Sequence, residues 1–162
     1  WDGVVFEVLH PLPGDDAPGA AKPPRPNALS CVLRISAAGT EGASALLLGD
    51  IEAPQEQALL ARGAPVQADV LLVPHHGSKT SSSSAFLEAV QPRTALVQAG
   101  YRNRFGHPAP DVLQRYRARQ IAVVESSRCG AARWSSSQPG HVACERDTGA
   151  RYWQHRMVPR DG

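Results

Sequence analysis

The stretch that most constrains the fold is a short apolar run that stops at two histidines. Residues 70–73 (VLLV) are followed by Pro74, by His75 and His76, and then by a glycine and a row of hydroxyl side chains. A short apolar run between turn signals is typical of a buried strand. Because functional groups concentrate in the loops where strands end, this run predicts a strand that delivers both histidines to a sheet edge.

A second apolar run lies upstream and also ends at a candidate ligand. Residues 45–48 (ALLL) lead into Gly49 and Asp50, and residues 53–62 between the two runs are rich in helix formers, with Gly63 as a stop signal. Strand, helix and strand in this order form a right-handed crossover with parallel strands. The carboxyl ends of both strands then meet at one edge, so Asp50 is predicted to lie beside the two histidines.

The next segment repeats this alternation of helix and strand. Residues 81–84 are serines suited to a helix N-cap, and residues 94–97 form another short apolar run. That run opens into a loop with two glycines, which carries Arg102, Arg104 and His107. Three successive strand ends are therefore predicted to converge at the same edge.

Length and composition predict a single domain over residues 1–162. Hydrophobic residues make up 42% of the chain, and no apolar run approaches the roughly 18 residues that a membrane span needs. Residues 11–26 are predicted to be a surface loop, and residues 126–162 a β-hairpin tail. Because the chain opens at Trp1 and enters a strand at once, we expect an excised, soluble segment of a longer protein.

The net charge alone does not indicate nucleic-acid binding. It is only +2, but the positive charges are unevenly distributed along the chain. Arg102 and Arg104 lie in the loop that joins the predicted site, and we expect them to contact phosphate. Arg115, Arg117 and Arg119 follow in a predicted helix, where we expect a solvated helix face.

The three cysteines divide into a core thiol and a candidate pair. Cys31 lies in an apolar run and is expected to be a buried core residue. Cys129 and Cys144 flank a predicted hairpin, so they could lie opposite each other. A disulfide between them would stabilise the fold by roughly 3 kcal/mol and would imply an oxidising compartment. The sequence is equally compatible with two free thiols.

Asp50, His75 and His76 are the candidate metal ligands. Carboxylate and imidazole suit zinc or manganese, and a carboxylate can bridge two such ions. Two ions about 3.5–4 Å apart can activate water and hold a phosphate ester. Because neighbouring side chains diverge, only one of the two histidines is expected to enter the site, and the other would support it or contact substrate. For His107, a place in the site and a purely local role are both open.

Ser78 and Lys79 follow the histidines and precede a predicted helix. Backbone N–H groups at such a position, together with the ammonium group of Lys79, could hold a phosphate. Plain capping of the helix is the alternative interpretation.

Three motifs in order carry a resemblance to a known family. They are residues 48–52 (LGDIE), residues 73–81 (VPHHGSKTS) and residues 103–108 (NRFGHP). Their combination resembles the second half of the metallo-β-lactamase-like domain of the ComEC family, the competence channel proteins that bring DNA into bacteria. The resemblance covers about residues 1–125 and is weaker over the tail.

The resemblance implies an α/β fold that forms half or more of an αββα sandwich, with a mixed sheet and helices on one face. It also implies a metal-dependent phosphodiesterase site for degrading the DNA strand that is not imported. Asp50 would bridge the metal ions and one of His75 and His76 would bind the second ion, which makes all three catalytic. The implied partners are DNA and the rest of the membrane channel, and the implied place is a soluble domain on the periplasmic side of the inner membrane.

The sequence departs from the family's pattern in one respect. The His-x-His-x-Asp-His signature, which supplies most metal ligands in that superfamily, is absent from this chain. We therefore expect weak or no metal binding and no nuclease activity from this segment, with self-association through an uncovered sheet face. Two alternatives stay open: a non-catalytic module that guides DNA with Lys79, Arg102 and Arg104, and a metallo-hydrolase of another phosphodiester.

Overall fold

The apolar runs of the sequence form the strands of a six-stranded mixed sheet. The computed structural model describes residues 2–13, 25–37 and 44–149. The strands of this sheet are β1 (Val4–His10), β2 (Val32–Ala37), β3 (Ser44–Leu47), β4 (Val70–Leu72), β5 (Thr94–Val97) and β6 (Ala122–Glu125). The helices are α1 (Ala53–Ala61), α2 (Ser84–Val90), α3 (Pro110–Ala118), α4 (Ser126–Cys129) and α5 (Glu145–Thr148), with 3-10 turns at Pro26–Leu29 and Pro74–Gly77. A separate hairpin consists of β7 (Ala132–Trp134) and β8 (Val142–Cys144).

The strands lie side by side in chain order. β1, β2 and β3 pair antiparallel, whereas β3, β4, β5 and β6 pair parallel. Since each parallel crossover moves in the same direction along the sheet and is right-handed, α1, α2 and α3 lie on one face. The predicted α/β fold with a mixed sheet is confirmed. Within the described ranges, no helix is both long and apolar enough to cross a membrane.

The main core lies between the sheet and helices α1 to α3. Along β3, Ser44 and Leu46 are buried, whereas Ala45 and Leu47 are only half-buried, so the strand turns one face to the core. Large core side chains come from strands and helices alike: Leu46, Leu59, Leu71, Phe86, Leu87, Val112 and Tyr116. Each such burial contributes about 1.5–3 kcal/mol, which is why these short strands and helices hold together.

The other face of the sheet carries an apolar row that its own helices do not cover. Leu33, Leu47, Leu72, Leu96 and Val124 are paired in direct register across five strands, so their side chains share this face. All five are half-buried. A sheet with helices on one face and an apolar row on the other corresponds to half of a sandwich.

The segment after β6 is cross-linked by a disulfide within its own hairpin. Ala132 pairs with Cys144 in the hairpin, and Cys129 and Cys144 form a disulfide across a Cα–Cα distance of 4.7 Å. The predicted hairpin and the disulfide alternative are thus confirmed. The core position predicted for Cys31 is wrong: it is an exposed free thiol that precedes β2, and Val32 takes the buried position instead.

Two predicted segments fall partly outside the described residues. In the predicted loop at 11–26, residues 14–24 are not described, and Pro26 already begins a 3-10 turn. The predicted tail at 126–162 is described up to residue 149. The interpretation of the chain as one domain stays a prediction.

Thiol titration tests the disulfide. The chain has three cysteines and two of them are paired, so denatured protein is expected to react at Cys31 alone until it is reduced. Replacing Cys129 and Cys144 by serine is expected to lower the free energy of unfolding by about 3 kcal/mol, because the bond restrains the unfolded chain. Cys31→Ser is the matched control and should change stability little. Three reactive thiols before reduction would contradict the pairing.

Candidate active site at the carboxyl edge of the sheet

The loops after β3 and β4 are joined at the carboxyl edge of the sheet. The backbone N–H of His75 donates a hydrogen bond of 2.9 Å to the Gly49 carbonyl. Gly49 has a φ of +52°, and a Cβ there would lie 3.0 Å from the Ser30 side chain, so the position favours glycine. As predicted from the crossover, Asp50 and His76 are neighbours, with 3.6 Å between Oδ1 and Nε2.

His75 and His76 lie in a turn with left-handed backbone rather than on a strand. Their φ angles are +49° and +57°, within the 3-10 segment Pro74–Gly77. Alternation of side-chain direction applies to extended chains and not to this turn, so the expectation that only one of the two histidines enters the site stays a prediction. The two rings lie 6.4 Å apart, and each approaches a carboxylate. Gly77 permits this turn, since a Cβ there would stand 2.7 Å from Pro108.

The His76 ring has a defined hydrogen position. Its Nδ1 lies 2.7 Å from the Gln98 carbonyl oxygen, which can only accept, so Nδ1 carries the hydrogen. In the neutral ring, Nε2 is then a lone-pair acceptor that faces Asp50 Oδ1. Two acceptors that face each other are satisfied by a cation or a proton between them. The pair is open to solvent, with the side chains 51% and 42% exposed.

His75 is held by supporting groups. Its Nδ1 lies 3.3 Å from Glu52 Oε1, and its Nε2 lies 3.5 Å from Asn27 Nδ2. Glu52 in turn accepts a hydrogen bond of 2.9 Å from the Thr80 hydroxyl. His75 and Glu52 are only about one quarter exposed, less than Asp50 and His76. No role for Glu52 is predicted from the sequence, although it lies two residues after Asp50 in the same loop.

His107 does join the cluster. Its ring lies 6.1 Å from that of His75, and Phe105 stacks on it at 5.8 Å. Asn103 holds the loop: its Oδ1 accepts from the His107 N–H and its Nδ2 donates to the His107 carbonyl. Burial lowers the pKa of His107, and positive charge on His75 and His76 lowers it further.

The segment after the histidines is held by burial and by internal hydrogen bonds. Ser78 is buried, and its hydroxyl shares a hydrogen bond of 3.1 Å with the Thr80 hydroxyl. The Ser78 N–H donates to His75 O, and Ser83 caps α2 by accepting from the Phe86 N–H. Lys79 is exposed. A phosphate contact by Ser78 or Lys79 stays a prediction.

A buried carboxylate that the sequence analysis missed braces this segment. Glu56 of α1 is fully buried, and its two oxygens accept from the backbone N–H groups of Ser82 (2.6 Å) and Ser83 (2.9 Å). Ser82 has a φ of +58°, and its hydroxyl bonds to the buried Tyr116 hydroxyl at 3.0 Å. The available signal was spacing, because Glu56 precedes the buried Leu59 by one helical turn.

Arg115 and Arg119 correct the expectation of a solvated helix face. Arg115 donates from its Nη1 to the carbonyls of Ser81 and Ser82, at 2.9 and 2.8 Å. Arg119 pairs with Glu88 at 2.8 Å, and both arginines are half-buried. Of the three arginines, only Arg117 is exposed. Carbonyls of the turn before α2 thus hold Arg115, and the Glu88 carboxylate of α2 holds Arg119.

Arg102 and Arg104 lie on the exposed loop after β5. The Arg102 guanidinium lies 5.2 Å from the centre of the Tyr101 ring, and the Arg104 guanidinium lies 4.8 Å from that of Phe105. The predicted convergence of three strand ends is therefore seen for Asp50, the histidine turn and His107. The two arginines point to the rings of their own loop.

The donor set among the described residues is incomplete for a metal ion. In residues 2–13, 25–37 and 44–149, no three His, Cys, Asp or Glu side chains are grouped to hold one ion. Asp50 Oδ1 and His76 Nε2 give two donors of the right chemistry for zinc or manganese. Structural zinc takes four protein ligands and catalytic zinc three, so further ligands are needed.

The sequence of the chain is similar to parts of longer bacterial proteins. It is 36% identical to Competence protein ComA of Neisseria gonorrhoeae over 157 residues, which are 96% of this chain and 21% of that protein. It is 37% identical to ComE operon protein 3 of Bacillus subtilis over 118 residues, 73% of this chain and 15% of that protein. It is 34% identical to Recombination protein 2 of Haemophilus influenzae over 158 residues, 98% of this chain and 18% of that protein. No protein-family model matches the chain.

The chain is homologous to a segment of bacterial competence proteins. It spans about a fifth or less of the length of the curated relatives it matches. The competence part of the resemblance is confirmed by these similarities. The names of the relatives do not specify a metal, a nuclease activity or a metallo-β-lactamase-like domain, so these remain proposals for this chain.

The lowered pKa of His107 predicts acid sensitivity. The ordinary pKa is 6.5, so the unfolded chain takes up this proton at a higher pH than the folded chain. The free energy of unfolding should therefore fall as the pH drops below about 6.5, until the lowered folded pKa is passed. Urea unfolding between pH 8 and 5 in EDTA should show a smaller fall for His107→Asn. His141→Asn, on the exposed hairpin, is the control, and equal pH profiles for wild type and His107→Asn would refute the prediction.

Proposed function

We propose that this chain acts in DNA uptake during bacterial transformation and contributes part of a metal-dependent phosphodiesterase site. The site would degrade the DNA strand that is not imported. The observation that supports this most is the hydrogen bond from His76 to the Gln98 carbonyl. It leaves His76 Nε2 as an acceptor opposite Asp50 Oδ1, which is how a histidine is prepared for a metal.

In this proposal Asp50 and His76 are two ligands of a zinc or manganese ion. When bound, such an ion lowers the pKa of a water molecule and stabilises charge on a phosphate ester. Glu52 and Asn27 orient His75, which lies beside the site as a supporting or substrate-contacting group. Arg102, Arg104 and Lys79 are exposed cations near this edge that can contact DNA phosphates.

The remaining ligands would come from residues outside the described ranges or from a partner. The apolar row of Leu33, Leu47, Leu72, Leu96 and Val124 offers a surface against which a second sheet could pack. Packing of that kind would complete a sandwich and bring further ligands to the edge. Without it, the same surface would favour self-association of this chain.

The disulfide between Cys129 and Cys144 supports an extracytoplasmic location. Disulfides persist in oxidising compartments such as the bacterial periplasm and are rare in the cytosol. In this proposal the domain lies on the periplasmic side of the inner membrane. The rest of a membrane channel would be its partner there.

A non-catalytic DNA guide is the second candidate function. It is favoured by one observation: the described residues contain no three grouped metal ligands. In that case the exposed arginines of the loop after β5 would bind DNA, and Asp50 and His76 would be a remnant of a site. A metallo-hydrolase of another phosphodiester differs from the first proposal in substrate alone.

Cleavage assays distinguish these functions. A form of the protein extended beyond this segment should release nucleotides from end-labelled DNA in the presence of manganese or zinc. Asp50→Ala should reduce that rate at least about 100-fold, because a metal ligand is lost. Asp111→Ala, an exposed carboxylate in the first turn of α3, is the matched control and should keep the rate.

The 162-residue chain alone is expected to show no cleavage. DNA binding without turnover in every form, with metal or without it, would reject the phosphodiesterase and favour the guide. Cleavage of small phosphodiesters but not of DNA would favour the other hydrolase.

A further inference from the structure

The loop between β5 and α3 exposes aromatic rings beside the histidine cluster. Phe105 is 67% exposed and Tyr101 48% exposed. Phe105 has the largest exposure of any large hydrophobic side chain reported for the described residues. Leaving a phenylalanine in water forgoes the free energy of its burial, so a ring kept at such a place is a candidate for contact with a ligand.

Each ring is paired with a positive charge. Arg104 lies over Phe105 at 4.8 Å and Arg102 lies over Tyr101 at 5.2 Å. Both guanidinium groups are themselves exposed, so they can leave the rings for another partner. Residues 101–105 (YRNRF) thus place two arginines between two aromatic rings, with Asn103 in the middle. This combination binds single-stranded nucleic acid, since bases stack on the rings and the cations contact phosphates.

A row of aromatic ring contacts connects this loop with the candidate active site. Phe105 and His107 are stacked with an angle of 17° between the rings and 5.8 Å between their centres. From His107 the next ring is that of His75, at 6.1 Å, and then that of His76, at 6.4 Å. His76 faces Asp50. A strand of bases placed on Phe105 would therefore lead towards the two candidate metal ligands.

The loop is ordered before any ligand arrives. Asn103 donates to the carbonyls of Gly100 and His107 and accepts from the His107 N–H. These three hydrogen bonds close the loop around one amide side chain. A preformed loop costs less conformational entropy on binding than a flexible one, which suits a binding surface.

We propose that Tyr101 and Phe105 form a stacking platform for single-stranded DNA and feed the strand to Asp50 and His76. This inference rests on the proposed function, and it specifies that the substrate is single-stranded. A duplex cannot use the platform because its bases are already stacked on each other. The arginines of the loop contact the phosphates of the same strand and would bind any nucleic acid backbone.

Fluorescence anisotropy in EDTA tests the platform on the 162-residue chain itself. The probes are a labelled oligothymidylate, an abasic oligomer of the same length, and a duplex. Wild type is expected to bind the oligothymidylate about tenfold more tightly than the abasic strand, which has the same phosphates but no bases. Phe105→Ala should remove most of this difference, and Phe105→Trp should retain it.

Phe6→Ala is the matched control, because Phe6 is also exposed (55%) but lies on the edge strand β1, away from the loop. It should bind as wild type does. Tyr101→Ala is a second variant, expected to weaken binding of the oligothymidylate more than of the abasic strand. Equal binding of both strands by wild type, unchanged binding by Phe105→Ala, or no binding at all would overturn the platform.

The platform and the phosphodiesterase can fail separately. Loss of the base-dependent binding together with intact cleavage by the extended form would reject the platform alone. Base-dependent binding without any cleavage would reject the phosphodiesterase and leave the platform in place.

Discussion

The arrangement of the candidate site depends on the buried carboxylate of Glu56. Its oxygens accept the backbone N–H groups of Ser82 and Ser83, so α1 is fixed to the segment that leads into α2. A buried carboxylate without such donors would be strongly unfavourable, and a buried N–H without an acceptor would also cost free energy. The carboxylate needs the N–H groups as donors, and the N–H groups need the carboxylate as acceptor. This mutual dependence fixes the position of the segment relative to α1. Arg115 and Tyr116 of α3 hold the same segment from the other side.

Hydrogen bonds connect the segment held by Glu56 to the candidate site residues. Thr80 accepts the N–H of Ala53 with its carbonyl and donates its hydroxyl to Glu52, which approaches His75. Two carboxylate and imidazole pairs result, and they differ in exposure. Glu52 and His75 are the more buried pair and have supporting partners, whereas Asp50 and His76 are open to solvent. The first pair is suited to orienting groups and the second to meeting a ligand.

The sequence predicts the strands and their parallel crossover connections well, because a short apolar run with glycine or proline at its ends is compatible with few structures other than a buried strand. It also predicted that Asp50 would lie beside the histidines, since parallel strands bring their carboxyl ends together. It did not predict the left-handed backbone of His75 and His76. Positive φ angles are uncommon for residues other than glycine, and neither histidine signals such a backbone by itself.

Other errors came from long-range partners. The charge of Arg115 predicts a solvated surface, but two carbonyls of a distant turn accept its hydrogen bonds. The apolar neighbours of Cys31 predict a core position, but Cys31 precedes the first residue of β2 and is exposed. Local sequence does not contain these contacts. Glu56 shows the same limit, since its acceptor role depends on a segment 26 residues away.

Amide hydrogen exchange tests most directly whether Glu56 holds the site together. In Glu56→Gln the side-chain amide keeps one acceptor and loses the other, so the N–H of Ser82 or Ser83 is left without its partner. The account predicts that at least one of these two amides exchanges about tenfold faster or more, and that the His75 amide also loses protection. Glu88→Gln, whose exposed carboxylate pairs only with Arg119 among the described contacts, should leave all three amides unchanged. Unchanged protection in Glu56→Gln would contradict the account.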